Sequence, residues 1–402
     1  MIPERLPFQL VFFRYNKRQK DIKMCARKAK KKTKSSGKAK PKAKGKSSKD
    51  AGKKKKPAKK GESKSSAKPK PKAKPKNKPK PKDKPKPKTQ TKSKPKKDSK
   101  KSVAVERTGQ PESVSFEMSE SHRRDGYSLL VMLGTGTPGP DPNRSGPSLA
   151  IVVNDQPYLV DFGPGIVRRA AAAEQQGIYG LSTHLLDTAF LTHLHSDHTA
   201  GYADLMLTPW VCGREAPLEV YGPPGLKHMT DHLVQAYAAD IDQRLNGLEP
   251  SSKTGHEVQA FEVQPGKVYE DHNVEVHAFE VWHGDGWTCY GYKFICPDRT
   301  IVVSGDTCKH ENVIEAARGC DVLVHEVCSG EGVKWRSPEW RKYHSTYHTL
   351  GHELAEIANE AQPGLVVLTH QLHQGVSDAE LIREVRSGYS GSVVSGKDLD
   401  VF

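Results

Sequence analysis

From Leu129 onward the chain alternates short apolar runs with clusters of Gly, Pro and Asn. In SLLVMLGTGTPGPDPNRSGPSLAIVVNDQPYLVDFGPG the runs Leu129–Leu133, Leu149–Val153 and Tyr158–Val160 have strand length and are bounded by turn residues, which predicts a β-meander. Arg168–Gly177 (RRAAAAEQQG) is rich in helix formers and stops at a glycine, as a short helix does. The segment TAFLTHLHSDH then carries an apolar strand into a histidine cluster, and a helix is predicted around His228–Tyr237. Three more strands end at VEVHAFEVWH, YGYKFI and TIVVSGD, after which the order helix, strand (DVLVHE), helix, strand (LVVLTH) completes the pattern. Within Thr349–Ala361, Leu350, Leu354, Ile357, Ala358 and Ala361 share one face, the spacing of a helix laid on a sheet. Strand blocks followed by helices, twice over, predict an α/β fold: a four-layer αββα sandwich with two sheets inside, whose strand-end loops gather along one edge.

No such periodicity exists before residue 108. Met1–Arg107 holds 43 Lys and Arg against 7 Asp and Glu, so it carries +36 while the rest of the 402-residue chain carries −19. Its Lys, Pro, Ala and Ser runs cannot bury enough apolar surface to offset the entropy of folding, which predicts a disordered polycation over 1–107 and a folded domain over 108–402. Met24 offers a second candidate start. No apolar run approaches the roughly 20 residues of a membrane-spanning helix, so no membrane partner is expected. Seven cysteines, odd in number and without a CxxC pair, suit reduced thiols and a cytoplasmic location.

The candidate chemistry lies in the histidine cluster. His193-Leu194-His195-Ser196-Asp197-His198 sets three imidazoles and a carboxylate directly after an apolar strand. In extended backbone alternate side chains share a face, so His193 and His195 can reach one metal ion while the following turn sends Asp197 and His198 to a second. Imidazole and carboxylate donors without thiolate are the ligands of catalytic zinc, with manganese or iron as alternatives. By contrast GTGTP at Gly134–Pro138 lacks the GxGxxG spacing of a dinucleotide site and reads as a turn.

LGTGTPGPDPNR, LVDFGPG, FLTHLHSDHTAG, YGPPGL, VVSGDT, LVHE and LTH stand here in the order in which they occur in the metallo-β-lactamase superfamily, and from about Leu129 to His370 the chain resembles its ribonuclease Z and arylsulfatase-like branch. The resemblance implies the metallo-β-lactamase form of the sandwich and a hydrolase with two Zn2+. His193, His195 and His283 would hold one ion, Asp197, His198 and His370 the other, and Asp306 would bridge them. A hydroxide between the ions would attack an ester. Asp161, in the DFGPG turn, would orient a ligand histidine or simply hold the turn. The family's leaving-group acid is a histidine opening the helix before the last strand, supported by the glutamate of the HE motif. Helix register makes His348 that acid and Glu326 its partner, whereas His344, in the literal triplet His344-Ser345-Thr346, is the rival. His325 reads as structural, and Trp282 and Trp287, which flank His283, are candidate pocket walls.

One departure matters. Short ribonuclease Z enzymes carry a flexible tRNA-gripping arm after the third histidine motif, but the interval from Tyr292 to Ile301 is only Lys293-Phe294-Ile295-Cys296-Pro297-Asp298-Arg299-Thr300. The resemblance therefore leaves three substrates open: a phosphodiester, as in ribonuclease Z-like processing of RNA or tRNA 3′ ends; a sulfate ester or other small ester; or none, in a nucleic-acid-binding protein with a vestigial hydrolase domain. The Lys-rich tail would contact the phosphates of nucleic acid or another polyanion without reading sequence, or serve nuclear import in a eukaryote. Members of the branch are often dimers, which leaves a homodimer open.

Overall fold

The computed structural model describes residues 127–402, so the expectations for the Lys-rich tail, and the boundary drawn at 107, lie outside the described residues. Strands β1 (Ser128–Gly134), β2 (Ser148–Val153), β3 (Gln156–Val160), β4 (Thr188–Phe190), β5 (Leu218–Gly222) and β6 (Val258–Glu262) form one sheet in that spatial order. The meander β1–β3 is antiparallel and β3–β6 are parallel. The second sheet runs β13-β12-β11-β10-β9-β8-β7, from β7 (Gly266–Glu270), β8 (Glu275–Val281), β9 (Cys289–Ile295) and β10 (Thr300–Val303) to β11 (Val322–Cys328), β12 (Leu365–Leu372) and β13 (Val393–Ser395).

Alternation along each strand separates the layers. In β1, Leu130 and Met132 join Ile151, Tyr158, Phe190, Tyr292 and Phe294 in the core between the sheets, while Leu129, Val131 and Leu133 face outward. The outer face of the first sheet is covered by α1 (Ile166–Gln175), α2 (Ser196–Thr199), α3 (Tyr202–Val211), α4 (Leu226–Ala236) and α5 (Ala238–Asn246). On the second sheet lie α6 (Glu311–Ala317) and, after the single turn α7 (Gly330–Val333) and the rim helix α8 (Pro338–Tyr347), α9 (Gly351–Ala361) and α10 (Asp378–Arg386). Leu354, Ile357, Ala358 and Ala361 of α9 are buried, as their spacing predicts. The result is the αββα sandwich.

Several elements differ from the sequence expectation. α1 begins at Ile166 because Gly165 turns the chain at φ +102°, and it ends at Gln175, before Gly177 at φ +101°. The helix predicted over Thr349–Ala361 begins at Gly351, with Leu350 as its N-cap, and is preceded by the unpredicted α8, from which His348 separates it in the extended conformation (φ −126°, ψ 156°). β6, β7 and β13 are too short to read from alternation, and α5 and α10, although amphipathic, are not among the elements expected from the sequence. The last residues run along β1, with Leu130 N–H donating to Phe402 O (3.0 Å) and Met132 N–H to Asp400 O (2.9 Å), which protects that sheet edge. β9 and β10 are joined by the tight turn 296–299, closed by Cys296 N–H to Arg299 O (2.9 Å), and no arm is inserted there. Among the described residues no helix is long and apolar enough to cross a membrane.

Candidate metal centre

The segments that follow β4, β8 and β10 converge with a position inside β12, His370. β4 is short, and beyond it the chain stays extended to His195 (φ −60°, ψ 147°), which caps the single turn of α2 carrying Asp197 and His198. This change from strand to helix splits the motif into two groups. Ligand atoms of His193, His195, His283 and Asp306 lie within 4.8 Å of one another, and so do those of Asp197, His198 and His370. Asp306 reaches both groups: its Oδ2 is 3.8 Å from His283 Nε2 and 3.4 Å from His370 Nε2, and its Oδ1 is 3.5 Å from His198 Nε2.

His370 is placed by a backbone irregularity. The β11–β12 register pairs Glu326 with Thr369 and Val327 with Gln371, so His370 is a bulge, and its φ of +42° lies in the left-handed region. Such strain is held where the surrounding structure determines it, often at a functional site. Asp161 is also left-handed (φ +58°). Its Oδ1 accepts from Thr192 N–H (2.8 Å), and Oδ2 lies 2.7 Å from His198 Nδ1, which turns Nε2 of that ring toward the centre. Beneath them the loops meet backbone to backbone: a Cβ on Gly163 would come within 2.4 Å of Gly146 C and 2.6 Å of Asp197 O. Only glycine permits that approach.

The donor set fits divalent cations. His193 Nε2 and His195 Nδ1 face each other at 2.9 Å, and His198 Nε2, which faces Asp306, is buried without a hydrogen-bond partner. Buried polar atoms left this way are costly unless an ion takes their lone pairs. Burial drives His193 well below the usual imidazole range and brings His195 to about 4, the neutral state a ligand requires. Burial opposes the charged form of Asp306 too, yet His370 and His198 hold it well below the ordinary carboxylate range.

Beside these groups His348 Nδ1 sits 3.0 Å from Glu326 Oε1, and both residues are buried. Glu326 Oε1 also accepts from Thr307 N–H at 3.1 Å. Burial lowers His348 to about 4 and pushes Glu326 up, so the pair favours an uncharged state. His344 lies on α8, half-buried, one helical turn before His348 and 3.3 Å from Gln374. It makes no contact with Glu326 among the described residues. His325 is buried with Nδ1 2.6 Å from the Glu326 carbonyl, a structural setting.

Above the centre opens a cavity of about 650 Å³. Trp282 and Trp287 do not line it. Trp287 instead packs edge-on against His195 (centroids 4.3 Å), its Nε1–H donating to His283 O, and Trp282 packs on Tyr347. These rings lie behind the ligand loop rather than in front of it. The walls are Trp340, Tyr343 and His344 of α8, with Arg336 and Arg144, none of which the sequence reading singled out apart from His344. Arg144 ties the rim together: Nη1 donates to Thr135 Oγ1 (2.8 Å) and to Gln371, and Nη2 pairs with Asp378 at 3.1 Å. Its signal was the PNRSG turn, in which an arginine reads as solvated.

Residues 157–371 match the family model of the β-lactamase superfamily domain. The chain is 31% identical over 275 residues to ribonuclease Z of Mycobacterium bovis, covering 67% of this chain and 96% of that one. Ribonuclease Z of a Mycobacterium species (strain KMS) is 32% identical over 245 residues, 60% of this chain and 84% of the relative. Among solved structures, the metallo-β-lactamase fold protein YhfI from Bacillus subtilis superposes with a TM-score of 0.51 at 21% identity, over 68% of this chain and 98% of that one. The short form of human tRNase Z gives 0.50 at 19% identity, over 68% and 98% of the two chains. These two share the fold. With the mycobacterial likeness and a donor set suited to divalent metal, the chain belongs to the metallo-β-lactamase superfamily, in its ribonuclease Z branch, and is a metal-dependent hydrolase.

Proposed function

We propose that this protein is a dinuclear zinc phosphodiesterase that cleaves RNA. One observation carries the reading: seven donors fall into two groups that share Asp306, with the His348–Glu326 pair beside them. His193, His195 and His283 would hold one ion, Asp197, His198 and His370 the other, with Asp306 between. Two such ions supply Lewis-acid activation of water and neutralise the charge that develops on an attacked diester. Asp161 holds the His198 ring in place from behind. Glu326 occupies Nδ1 of His348, so proton transfer runs through Nε2. Water adds to phosphorus as the bond to the leaving oxygen breaks; the proton the water loses reaches Nε2 of the neutral His348, which passes it to the leaving oxygen, so the pair ends uncharged as it began. The RNA substrate is supported by the mycobacterial relatives named ribonuclease Z. A further support is the polycationic segment Met1–Arg107, which would hold RNA close to an otherwise acidic domain.

The test is metal analysis of the purified full-length chain, with assays on bis(p-nitrophenyl) phosphate, an aryl sulfate and a precursor tRNA. The expected result is two zinc ions per chain, diester and RNA cleavage exceeding sulfate cleavage, and loss of both in His195→Ala. Cleavage of the sulfate ester alone would overturn the substrate, and absence of bound metal would overturn the centre.

A further inference from the structure

The helix α8 is built unlike the rest of the domain. None of its residues is buried, and it projects Trp340 (55% exposed) and Tyr343 beside the cavity, with Trp335 (90% exposed) just before it. Lys334-Trp335-Arg336-Ser337-Pro338-Glu339-Trp340-Arg341-Lys342-Tyr343-His344 concentrates 4 of the 21 basic residues that follow Arg107 into nine positions. Lys334 is paired with Glu331, but among the described residues neither Arg336 nor Lys342 forms an ion pair with a carboxylate. Among the described residues the Arg336 guanidinium donates to the neutral Gln374 (2.5 Å). An unneutralised cation at the mouth of a pocket in an acidic domain suits an anionic substrate.

The rings form a graded series. Trp340 stacks on His344 at 5.6 Å and 24°, His344 lies 5.7 Å from His348, and His348 stacks on His370 at 5.9 Å and 14°. Positions 340, 344 and 348 follow the helical repeat, so the series leads from the exposed indole inward to the metal centre. Tyr343 stands across from Trp340 at 5.5 Å and 86°. Aromatic faces interleaved with cations are how proteins take single-stranded nucleic acid, bases stacking on rings while Lys and Arg meet the phosphates.

We propose that Trp340, with Tyr343 and Arg336, is a base-stacking subsite for the single-stranded RNA that adjoins the scissile phosphodiester. The inference rests on the phosphodiesterase reading of the metal centre and adds to it the element that selects an RNA strand over a small diester. It also supplies a grip on the substrate in a chain with no arm between β9 and β10.

Steady-state kinetics of the full-length zinc-loaded chain on a twelve-nucleotide single-stranded RNA and on bis(p-nitrophenyl) phosphate test it. Every variant carries the same Lys-rich tail, so differences between them report on α8. Trp340→Ala is expected to raise KM for the RNA about tenfold with kcat little changed. Trp340→Phe, which keeps a ring, should recover most of this. Arg336→Ala should raise KM several-fold and reduce the slope of log KM against log salt by about 0.7. In Trp340→Ala and Arg336→Ala the rise in KM should be several-fold larger for the RNA than for the small diester. An RNA KM unmoved in both Trp340→Ala and Arg336→Ala overturns the subsite. So does a shift of oligomeric state in Trp340→Ala without a change in RNA kinetics, which would make this face a self-association surface. If the wild type cleaves neither substrate, the phosphodiesterase reading fails, and tryptophan fluorescence titration with the same RNA then decides the subsite alone. Quenching that disappears in Trp340→Ala supports it, and absence of quenching overturns it.

Discussion

His344 and His348 are one helical turn apart, belong to the same residue type and border the same cavity, and only their surroundings separate them. His348 is buried and held by Glu326, whereas His344 is half-buried between Trp340 and Gln374. A proton donor needs an orienting partner, which Glu326 gives to His348, and His348 also lines the cavity beside the two donor groups. His348→Ala is therefore expected to lower kcat on bis(p-nitrophenyl) phosphate by about 100- to 10,000-fold, with metal content retained. His344→Ala should change it by no more than a few-fold, and equal losses in the two variants would remove the assignment. That the seven donor residues come together was legible because HxHxDH is a local pattern and the later three follow in order along the chain. What sequence did not disclose was how His370 is aimed. Its left-handed bulge depends on the register of two strands 43 residues apart at Glu326 and Thr369, a relation no local pattern encodes. Trp340 and Tyr343 stayed invisible for a different reason: aromatics at helical spacing look the same whether they pack inward or stand at a pocket mouth.

Between elements, the sheets and helices are fastened by buried polar groups that hydrophobic patterning does not reveal. Arg214 is 1% exposed and caps backbone carbonyls from three segments: Leu186 O at 2.8 Å, Leu205 O and Met206 O at 3.0 and 2.7 Å, and Gly255 O at 2.9 Å. Burial lowers its pKa to about 10, so it remains charged at neutral pH. Arg214→Met keeps the apolar stem but leaves those carbonyls unpaired. An expected loss of about 3 kcal/mol would appear in denaturant unfolding. Asp271 makes a second clamp, from the β7–β8 turn to β3. Its Oδ2 accepts from Tyr158 Oη (2.6 Å) and Tyr269 Oη (3.0 Å), and its Oδ1 from Asn273 and Val274 N–H at 2.8 and 2.9 Å. Burial alone would raise the Asp271 pKa, but the donors from Tyr158, Asn273, Val274 and Tyr269 outweigh it and the net direction is down. A carboxylate lowered on folding contributes stability above its unfolded value near 3.9, and that contribution fades as pH falls through the folded value. Asp271→Asn should thus cost about 2 kcal/mol at pH 7 and much less near pH 3. Equal destabilisation at both pH values would show that shape, and not charge, is the clamp. The long strands and α9 could be read from periodicity, whereas β6, β7 and β13 are three to five residues long, too short for alternation to stand out from chance.

At the scale of the whole molecule, the two halves of the sequence have opposite charge, +36 over Met1–Arg107 and −19 beyond it. An acidic catalytic domain repels RNA over the distance of a Debye length, about 8 Å at physiological salt, so the favourable long-range field must come from the polycationic segment. The α8 cations act only at the pocket mouth and are few. Counterion release turns this division into a measurable quantity, because each phosphate neutralised on a single strand adds about 0.7 to the slope of log affinity against log salt. Removing the segment by starting the chain near Val105 is expected to weaken RNA binding at low salt, flatten that slope by at least about 3, and leave turnover of bis(p-nitrophenyl) phosphate unchanged at every salt concentration. The Arg336→Ala contribution should then persist in the shortened chain, since it originates in the pocket. Equal slopes for the long and short chains would mean that Met1–Arg107 does not meet the substrate, and the grip on RNA would have to be assigned to α8 and the cavity walls alone.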